Sequence, residues 1–480
     1  MRYRILLNGR ELPLHEAKVS AHPFNRVWDG RQRPLDQTEE AYFVTFDFEG
    51  KAVLSVEVDA KIESVEIRPF ESDLPHSLDG GKIIVEVSDP CQFTVEVNGR
   101  RQALHVFANA PLAYRHTENE IYFGPGEHHP GVIVPKSGQT VCIDEGAVVY
   151  GAIFVWKANR VHITGRGILD SSRLRRGEEE FSGRPGDEMA DLFTRCGLPP
   201  RDRKYVSSLV AYGCEDLTVD GIVLRDAMLW TVIVRNHCRN VLIDNVKIIG
   251  QWRYNSDGID ICASENVTVR NSFIRAFDDC FVARGAYLEG ETAELHHVRV
   301  ENCVMWCDWG KSIEVWAGQL PHAIHDISFR NNHLIHLSAT AIDVTTWFGG
   351  ENTEIRNLEF KDIFIDTDVE YESLRIQKNE DDVYAPEPGF VPQLLRIDCD
   401  RLGDFNGGQI AGKKSKASRY RLSYAHIVLD NIRCLGPGAA SLSAVIDAKH
   451  NPVEIEDVVL RGVDTETISI RGKIHGISVE

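Results

Sequence analysis

Three aspartates in one segment have the residue type and spacing for acid–base chemistry. Asp257 lies in "NSDGIDICAS", and the adjacent pair Asp278 and Asp279 follows 21 residues later in "RAFDDCF". Their neighbours are mostly apolar, an unfavourable environment for several negative charges. Because carboxylates held close together repel, the pKa of at least one must rise. One group can then act as a protonated acid while another stays ionised, the combination that cleavage of a glycosidic bond requires.

Other interpretations of these aspartates remain open at this point. Taken alone, each fits a turn residue or a Ca²⁺ ligand, and the joint spacing of all three is what favours catalysis. Asp260 also lies in the segment, but alternation along a strand places it differently from Asp257, so we predict a structural role. The alternatives to a hydrolase are a polysaccharide lyase or epimerase, whose aspartates would hold Ca²⁺, and a non-catalytic carbohydrate-binding protein.

A recurring motif predicts the scaffold that positions the aspartates. Apolar and other residues alternate and are often followed by Asn or Asp, as in "NVLIDN", "NVTVRN" and "HVRVEN", and the copies recur every 24 to 31 residues. Alternation with β-branched residues is typical of strands, and a fixed repeat predicts a right-handed parallel β-helix whose coils stack about 4.8 Å apart. Asp257 and Asp278 should then lie on neighbouring coils. The trailing Asn residues should stack at turns, which is a structural role.

The chain divides into two predicted domains. Residues 1–107 contain short alternating segments joined by Gly, Asp and Asn, which predicts an N-terminal β-sandwich. Residues 108–480 form the predicted β-helix catalytic domain. Two charged stretches rich in Pro and Gly, residues 171–204 and 371–419, are expected to be loops that shape a substrate cleft.

Composition narrows the choice of partner and compartment. The 480 residues carry a formal charge of −19, which disfavours nucleic acid and anionic membranes as main partners. The N-terminus lacks a secretory signal pattern, and no apolar run approaches membrane-spanning length. The 11 scattered cysteines, an odd number, favour reduced thiols in a cytoplasmic protein. We expect an oligosaccharide or polysaccharide substrate and no metal or organic cofactor. The oligomeric state does not follow from the sequence.

These segments resemble a known enzyme family. "NSDGIDI" followed by "DDC", with "LRDAMLWTVIVRNHCRNVLIDNVKI" before them, is similar to the polygalacturonase group, glycoside hydrolase family 28, over roughly residues 120–365. Family 49, the dextranase and isopullulanase group, shares the β-helix and three Asp and carries an N-terminal β-sandwich. The resemblance implies inverting hydrolysis of α-glycosidic bonds. It implies Asp278 as the general acid, and Asp257 and Asp279 as the residues that hold and deprotonate water.

The sequence departs from family 28 at two signatures. The counterpart of its Gly-His-Gly is "DWGKSIEVW", residues 308–316, which lacks His; His296 and His297 come earlier and are predicted to be structural. The Arg-Ile-Lys signature that grips a uronate is not found at its expected place, and we interpret "LRIQK", residues 374–378, as a coincidence. A uronate needs a fixed basic clamp. Its loss favours a neutral glycan or an unusual uronide.

Several residues near the aspartates are candidates for sugar binding. Six of the eight Trp lie between residues 230 and 347, and sugar rings stack on indole faces, although core packing is the alternative. The Trp residues on the coils after the Asp pair are favoured over Trp230 and Trp252. Arg284 could steady the acidic cluster or form a surface ion pair. The predicted substrate-binding residues are Asn255, Arg284, Trp309, Lys311, Glu314, Trp316 and Trp347. Endo or exo action stays open.

Overall fold

Strands dominate the protein. The computed structural model describes residues 2–21, 38–174, 187–197, 207–253, 255–286, 291–317, 322–345, 353–368, 371, 391–398, 422–437, 442–448, 453–465 and 467–480. The N-terminal strands are β1 (Tyr3–Leu7), β2 (Arg10–Glu11), β3 (His15–Ser20), β4 (Thr38–Asp47), β5 (Ala52–Val58), β6 (Val65–Arg68), β7 (His76–Asp79), β8 (Lys82–Val87), β9 (Cys91–Val97) and β10 (Leu104–Asn109).

These ten strands form two five-stranded sheets. The orders are β2-β1-β5-β8-β7 and β3-β4-β10-β9-β6. The first sheet is antiparallel, and the second is antiparallel except where β4 pairs parallel with β10. Alternate side chains of both sheets, among them Leu54, Val85, Phe93 and Val106, are fully buried in one core. The predicted N-terminal β-sandwich is therefore confirmed.

The remaining strands form one 28-stranded sheet wound into coils. They are β11 (Glu120–Phe123), β12 (Gly126–Ile133), β13 (Thr140–Ile143), β14 (Ala147–Trp156), β15 (Asn159–Gly165), β16 (Ile168–Asp170), β17 (Leu209–Tyr212), β18 (Glu215–Asp220), β19 (Val223–Arg225), β20 (Val232–Arg235), β21 (Arg239–Asp244), β22 (Lys247–Ile249), β23 (Ile259–Cys262), β24 (Glu265–Arg270), β25 (Phe273–Ala276), β26 (Phe281–Arg284), β27 (Leu295–Glu301), β28 (Val304–Cys307), β29 (Lys311–Trp316), β30 (Ile324–Ile335), β31 (Thr340–Thr345), β32 (Thr353–Asp366), β33 (Gln393–Asp398), β34 (Leu422–Leu435), β35 (Ser443–Asp447), β36 (Val453–Val463), β37 (Thr467–Arg471) and β38 (Ile474–Val479).

Parallel pairing between successive coils confirms the predicted parallel β-helix. Strand β23 pairs with β26, and β26 with β29, all in parallel. The register stacks Ile259, Phe281 and Ile313 in one fully buried column. Residues between such columns point out of the helix, because side chains alternate along a strand. The outward positions of these three strands, together with the bends that precede β23 and β26, carry the candidate site.

Asparagines shape one line of turns between the strands. Asn245, Asn271, Asn302 and Asn331 all have positive φ, between 51° and 57°. Asn adopts this left-handed conformation more readily than most residues. The side chains also bond from coil to coil: the amide of Asn302 donates to Asn271 at 3.3 Å, and that of Asn331 to Asn302 at 2.8 Å. We call these four residues the Asn ladder.

The N-terminal domain packs on the strands that follow the Asn ladder. Phe43 and Phe107 join Phe273 and Trp306 in a shared apolar cluster. Polar contacts flank this cluster, including one from the buried Lys247 ammonium to Asn109 Oδ1 at 2.6 Å. The two domains therefore share a packed interface along several coils.

The two predicted insertions contain regular structure, which corrects the expectation of loops. In the first, helix α1 (Asp187–Arg195) places Leu192 and Phe193 in a buried apolar cluster. In the second, strand β33 buries Leu395 and Ile397 in the β-helix core. Tertiary burial of these apolar residues outweighs the charged composition around them. Among the described residues, no helix has the length and apolarity needed to cross a membrane.

Candidate active site

The three aspartates lie in bends on neighbouring coils. Asp257 precedes β23, and Asp278 and Asp279 lie between β25 and β26. The backbone N–H of Gly258 donates to the carbonyl of Asp279 at 2.8 Å, and that of Asp278 donates to Ser256 at 3.3 Å. The bends therefore stack directly on one another, one strand spacing apart.

The side chains of the Asp pair lean toward the same point on the next coil. A Cβ atom placed on Gly310 would lie 2.5 Å from Asp279 Oδ1 and 2.7 Å from Asp278 Oδ1. Adjacent residues of a regular strand would point to opposite faces. The bend between β25 and β26 thus lets both carboxylates face one site, and glycine at position 310 leaves them room.

This close approach predicts a large effect of Gly310→Ala. The methyl group would overlap both carboxylates, although the backbone of Gly310 lies outside the left-handed region and accepts alanine. Misplacing reacting groups by about 1 Å can lower a rate about 100-fold. We expect a loss of that order in kcat with the fold retained, measured by initial rates and circular dichroism. Wild-type activity in this variant would contradict the described packing.

Lys311 binds Asp279 of the Asp pair from the following coil. Its backbone N–H donates to Asp279 Oδ1 at 2.8 Å, and its ammonium lies 3.5 Å from Asp279 Oδ2. The same ammonium donates to Glu314 at 2.6 Å. Asp278 lies further from polar partners, with the Asn255 amide 3.4 Å from its Oδ2. The predicted residues Asn255, Lys311 and Glu314 are therefore brought to the aspartates.

Arg284 lies on the other side of the aspartates, between two indoles. Its guanidinium donates to Asp260 at 3.0 and 3.2 Å and lies 3.7 Å from Asp257. It stands 4.7 Å from the ring centre of Trp230 and 4.8 Å from that of Trp316. Its side chain is only 11% exposed. Arg284 thus steadies buried acids and is not a surface residue.

Five buried carboxylates therefore share this site with two cations. We call the five the carboxylate cluster, and they are Asp257, Asp260, Asp278, Asp279 and Glu314. Asp260, predicted to be structural, joins the cluster because Arg284 bonds it and also lies 3.8 Å from Glu314. Five acids facing Arg284 and Lys311 cannot all ionise at low cost in a buried site.

Burial sets the protonation of the cluster. It raises the pKa of Asp278 to about 6. Burial also raises the pKa of Asp257 and Asp279 well above the usual range, with neighbouring carboxylates adding to the effect. For Glu314, burial acts in the same direction, but Lys311 and Arg284 outweigh it and lower the pKa. Glu314 therefore stays ionised beside Lys311, and the aspartates share protons.

The tryptophans near the cluster are packed against protein. Trp309 is 5% exposed and stacks on Phe277 with ring centres 5.6 Å apart. Trp316 is 4% exposed and covers Arg284. In this structure, they wall the cluster and are not open platforms for sugar rings. Trp347 lies outside the described residues, as does "LRIQK".

Sequence reasoning missed an ion pair on the next coils. The register continues the outward column of Glu314 to Asp343 and then to Arg396. The Arg396 guanidinium binds both carboxylate oxygens of Asp343, at 3.1 and 2.6 Å. The sequence signal for this ion pair was the presence of polar residues at outward strand positions in "AIDVT" and "QLLRID". His296 and His297 lie on strand β27, away from this column, and contact each other.

No group of three or more His, Cys, Asp or Glu side chains within the described ranges is arranged to hold a metal ion. The cations of the site are instead arginine and lysine side chains, which bind the carboxylates directly.

Comparison with known proteins shows which enzymes this chain resembles. Residues 194–384 match the model for glycosyl hydrolases family 28, a range that includes all three aspartates. A search of curated proteins gave no match. The match confirms the predicted resemblance and the enzyme class. The protein is a glycoside hydrolase.

Solved structures are similar in fold. Dex49A from Penicillium minioluteum superposes with a TM-score of 0.59 at 14% identity, covering 94% of this chain and 88% of that one. A hyperthermoactive exopolygalacturonase from Thermotoga maritima gives 0.49 at 15% identity, with 74% and 84% covered. A family 28 exopolygalacturonase from Yersinia enterocolitica gives 0.44 at 14% identity, with 90% and 97% covered. The likeness to Dex49A supports the β-helix with its N-terminal sandwich.

Proposed function

We propose that the protein hydrolyses α-glycosidic bonds of a neutral glycan with inversion, using the carboxylate cluster. Asp278 is the general acid, and Asp257 and Asp279 hold and deprotonate the attacking water. The observation that carries this proposal is the convergence of three buried aspartates from two neighbouring coils on one site beside Lys311. Inverting hydrolysis needs one protonated and one ionised carboxyl group with water between them.

The contacts of each aspartate support these roles. Lys311 donates to Asp279 and favours its ionised form against the burial that raises its pKa, which supports the role of base. Asp278 has no cation within 4 Å among the described residues, and a pKa raised by burial to about 6 suits an acid. Oδ1 of Asp257 is buried without a hydrogen-bond partner in the described part of the chain, so it can accept a bond from water.

The charges of the site support a neutral substrate. Gripping a uronate requires a cation directed at the sugar. The cations of this face in the described part of the chain bind protein carboxylates instead: Lys311 binds Glu314, Arg284 binds Asp260, and Arg396 binds Asp343. A substrate carboxylate would add another negative charge to this acidic surface. We therefore propose neutral sugars at the bond that is cleaved.

A hydrolysis screen tests the proposal. Purified protein with EDTA is incubated with neutral α-linked oligosaccharides and with oligogalacturonides, and the anomers formed first are read by NMR. We expect cleavage of a neutral substrate with inversion. Cleavage of galacturonides alone would overturn the neutral substrate, and retention would overturn the mechanism. An unsaturated product, or activity abolished by EDTA, would favour the lyase.

The pH dependence follows from Asp278. Burial raises its pKa to about 6, so the acid loses its proton above that pH. We expect kcat/KM to fall about tenfold per pH unit above about 6. Because the folded state binds this proton more tightly than the unfolded chain, its contribution to stability is complete below about pH 4 and is lost as the pH rises through about 6. A pH–rate profile that is flat across this range would contradict the assignment.

A further inference from the structure

A cavity lies between the N-terminal domain and the β-helix. Its volume is about 690 Å³, and no residue of the carboxylate cluster lines it. One wall is formed by Gln92 and residues 108–113 of the N-terminal domain and linker, and the other by the Asn ladder and His333. We call it the junction groove.

The Asn ladder gives this groove a repeating polar floor. Its amides follow one another at the coil spacing of about 4.8 Å. Within the ladder, each bond such as Asn302 to Asn271 uses one amide hydrogen and one oxygen lone pair. Because an amide has two hydrogens and two lone pairs, each ladder residue keeps capacity for another partner. Asn271, Asn302 and Asn331 are exposed to solvent along the groove.

Two buried polar atoms in the groove walls lack partners within the described residues. They are Oε1 of Gln92 and Nδ1 of His333. The Gln92 amide nitrogen is held by Asn245 and Asn271, at 3.0 and 2.7 Å. The imidazole of His333 stacks on Phe364 with ring centres 5.2 Å apart. Buried polar atoms are nearly always satisfied, so these two fixed atoms point to a ligand that forms hydrogen bonds.

The charges in the groove favour an uncharged ligand. Its charged side chains bind within the protein: Arg166 binds Asp47 at 2.6 Å, and Asp244 binds Arg270 at 2.7 Å. Burial lowers the pKa of His333 to about 4, so its ring is neutral near pH 7. The remaining lining combines amides with apolar groups such as Pro111 and Leu112. Sugars present the same combination of hydroxyls and C–H faces.

From this geometry we infer that the junction groove is a non-catalytic binding site for a neutral oligosaccharide chain. Hydroxyls of successive sugars bond the Asn ladder, and further hydroxyls bond Gln92 and His333. The floor continues from coil to coil, so the site takes several linked sugar units. The inference goes beyond the proposed hydrolysis and does not depend on it, because no residue of the carboxylate cluster takes part.

Titration calorimetry on the full chain tests this site. Asp278→Asn is used as background to prevent hydrolysis, and the probe is a linear neutral α-glucan hexasaccharide. Two added variants perturb the groove: His333→Phe keeps the ring and removes its nitrogens, and Ala113→Trp fills space at an exposed lining position. We expect each of these two variants to raise the Kd of one binding event at least tenfold. The control is His297→Phe, a ring change at an exposed position of β27 that does not line the groove.

The outcomes separate this site from the catalytic one. The inference is supported if calorimetry resolves two binding events and the groove variants weaken the affinity of only one of them. A single event lost in His333→Phe supports it as well, even if the catalytic proposal fails. A single event unchanged in both groove variants would overturn it, as would the absence of binding or an equal response to hexagalacturonate.

Discussion

Asp278→Asn is expected to lower kcat by about 10²- to 10⁴-fold, because an amide cannot protonate the leaving oxygen. The substitution keeps the shape of the side chain and removes one acid from a crowded cluster. Since the pKa of Asp278 is raised by burial, losing its charge does not destabilise the fold. We therefore expect KM and the thermal midpoint to change little. Initial rates on the best substrate of the screen, together with thermal melts, measure this.

A matched substitution on another coil shows whether the loss of kcat is specific to position 278. Asp216→Asn changes an exposed residue of β18 that accepts a bond from Asn240 on the next coil, and it should leave the rate unchanged. A leaving group that needs no protonation, such as a nitrophenolate, should be cleaved by Asp278→Asn with a much smaller deficit. Full activity of Asp278→Asn on the natural substrate would show that another residue is the acid.

Lys311→Met is expected to destabilise the protein strongly as well as inactivate it. The ammonium is 2% exposed and binds both Asp279 and Glu314. Removing one partner of a buried ion pair typically costs about 3–5 kcal/mol, because the remaining charge stays buried without compensation. Chemical denaturation should show a loss of this size, and kcat should fall because Asp279 loses its fixed position.

A double substitution separates the charge from the packing. In the double variant Lys311→Met/Glu314→Gln, a neutral amide replaces the Glu314 carboxylate that bonded the ammonium. Part of the lost stability should therefore return. Activity should not return, because Asp279 still lacks its partner. Equal stability of Lys311→Met and the wild type would show that the buried ion pair is not formed in solution.

Much of the fold could be predicted because its signals are local. Strand alternation and the Asn that ends many of the repeats both reflect backbone geometry, since a left-handed turn favours Asn. The spacing of 21 residues between Asp257 and Asp278 then predicts that these two residues lie on neighbouring coils. The structure brings those aspartates together as predicted, with Lys311 and Glu314 following on the next coil.

The features of the site that were not predicted depend on contacts that link distant parts of the chain. Arg396 lies 53 residues from Asp343, inside a stretch whose composition predicts a loop, and only the stacking of β33 on β31 reveals the pair. The roles of Asp260 and Trp316 depend in the same way on where the Arg284 side chain points. Alternation predicts which face a residue occupies, but not whether another side chain covers it.

The interface between the two domains has a consequence for how the enzyme unfolds. In a solenoid each coil contacts only its neighbours, so coils can open one at a time. Here the N-terminal domain bonds four of five successive coils, through Lys247, Arg275, His336 and Asp366. The bends carrying the aspartates follow the first two of these anchors directly. We therefore expect the coils that carry the aspartates to open together, and the coils that the N-terminal domain does not bond to exchange independently.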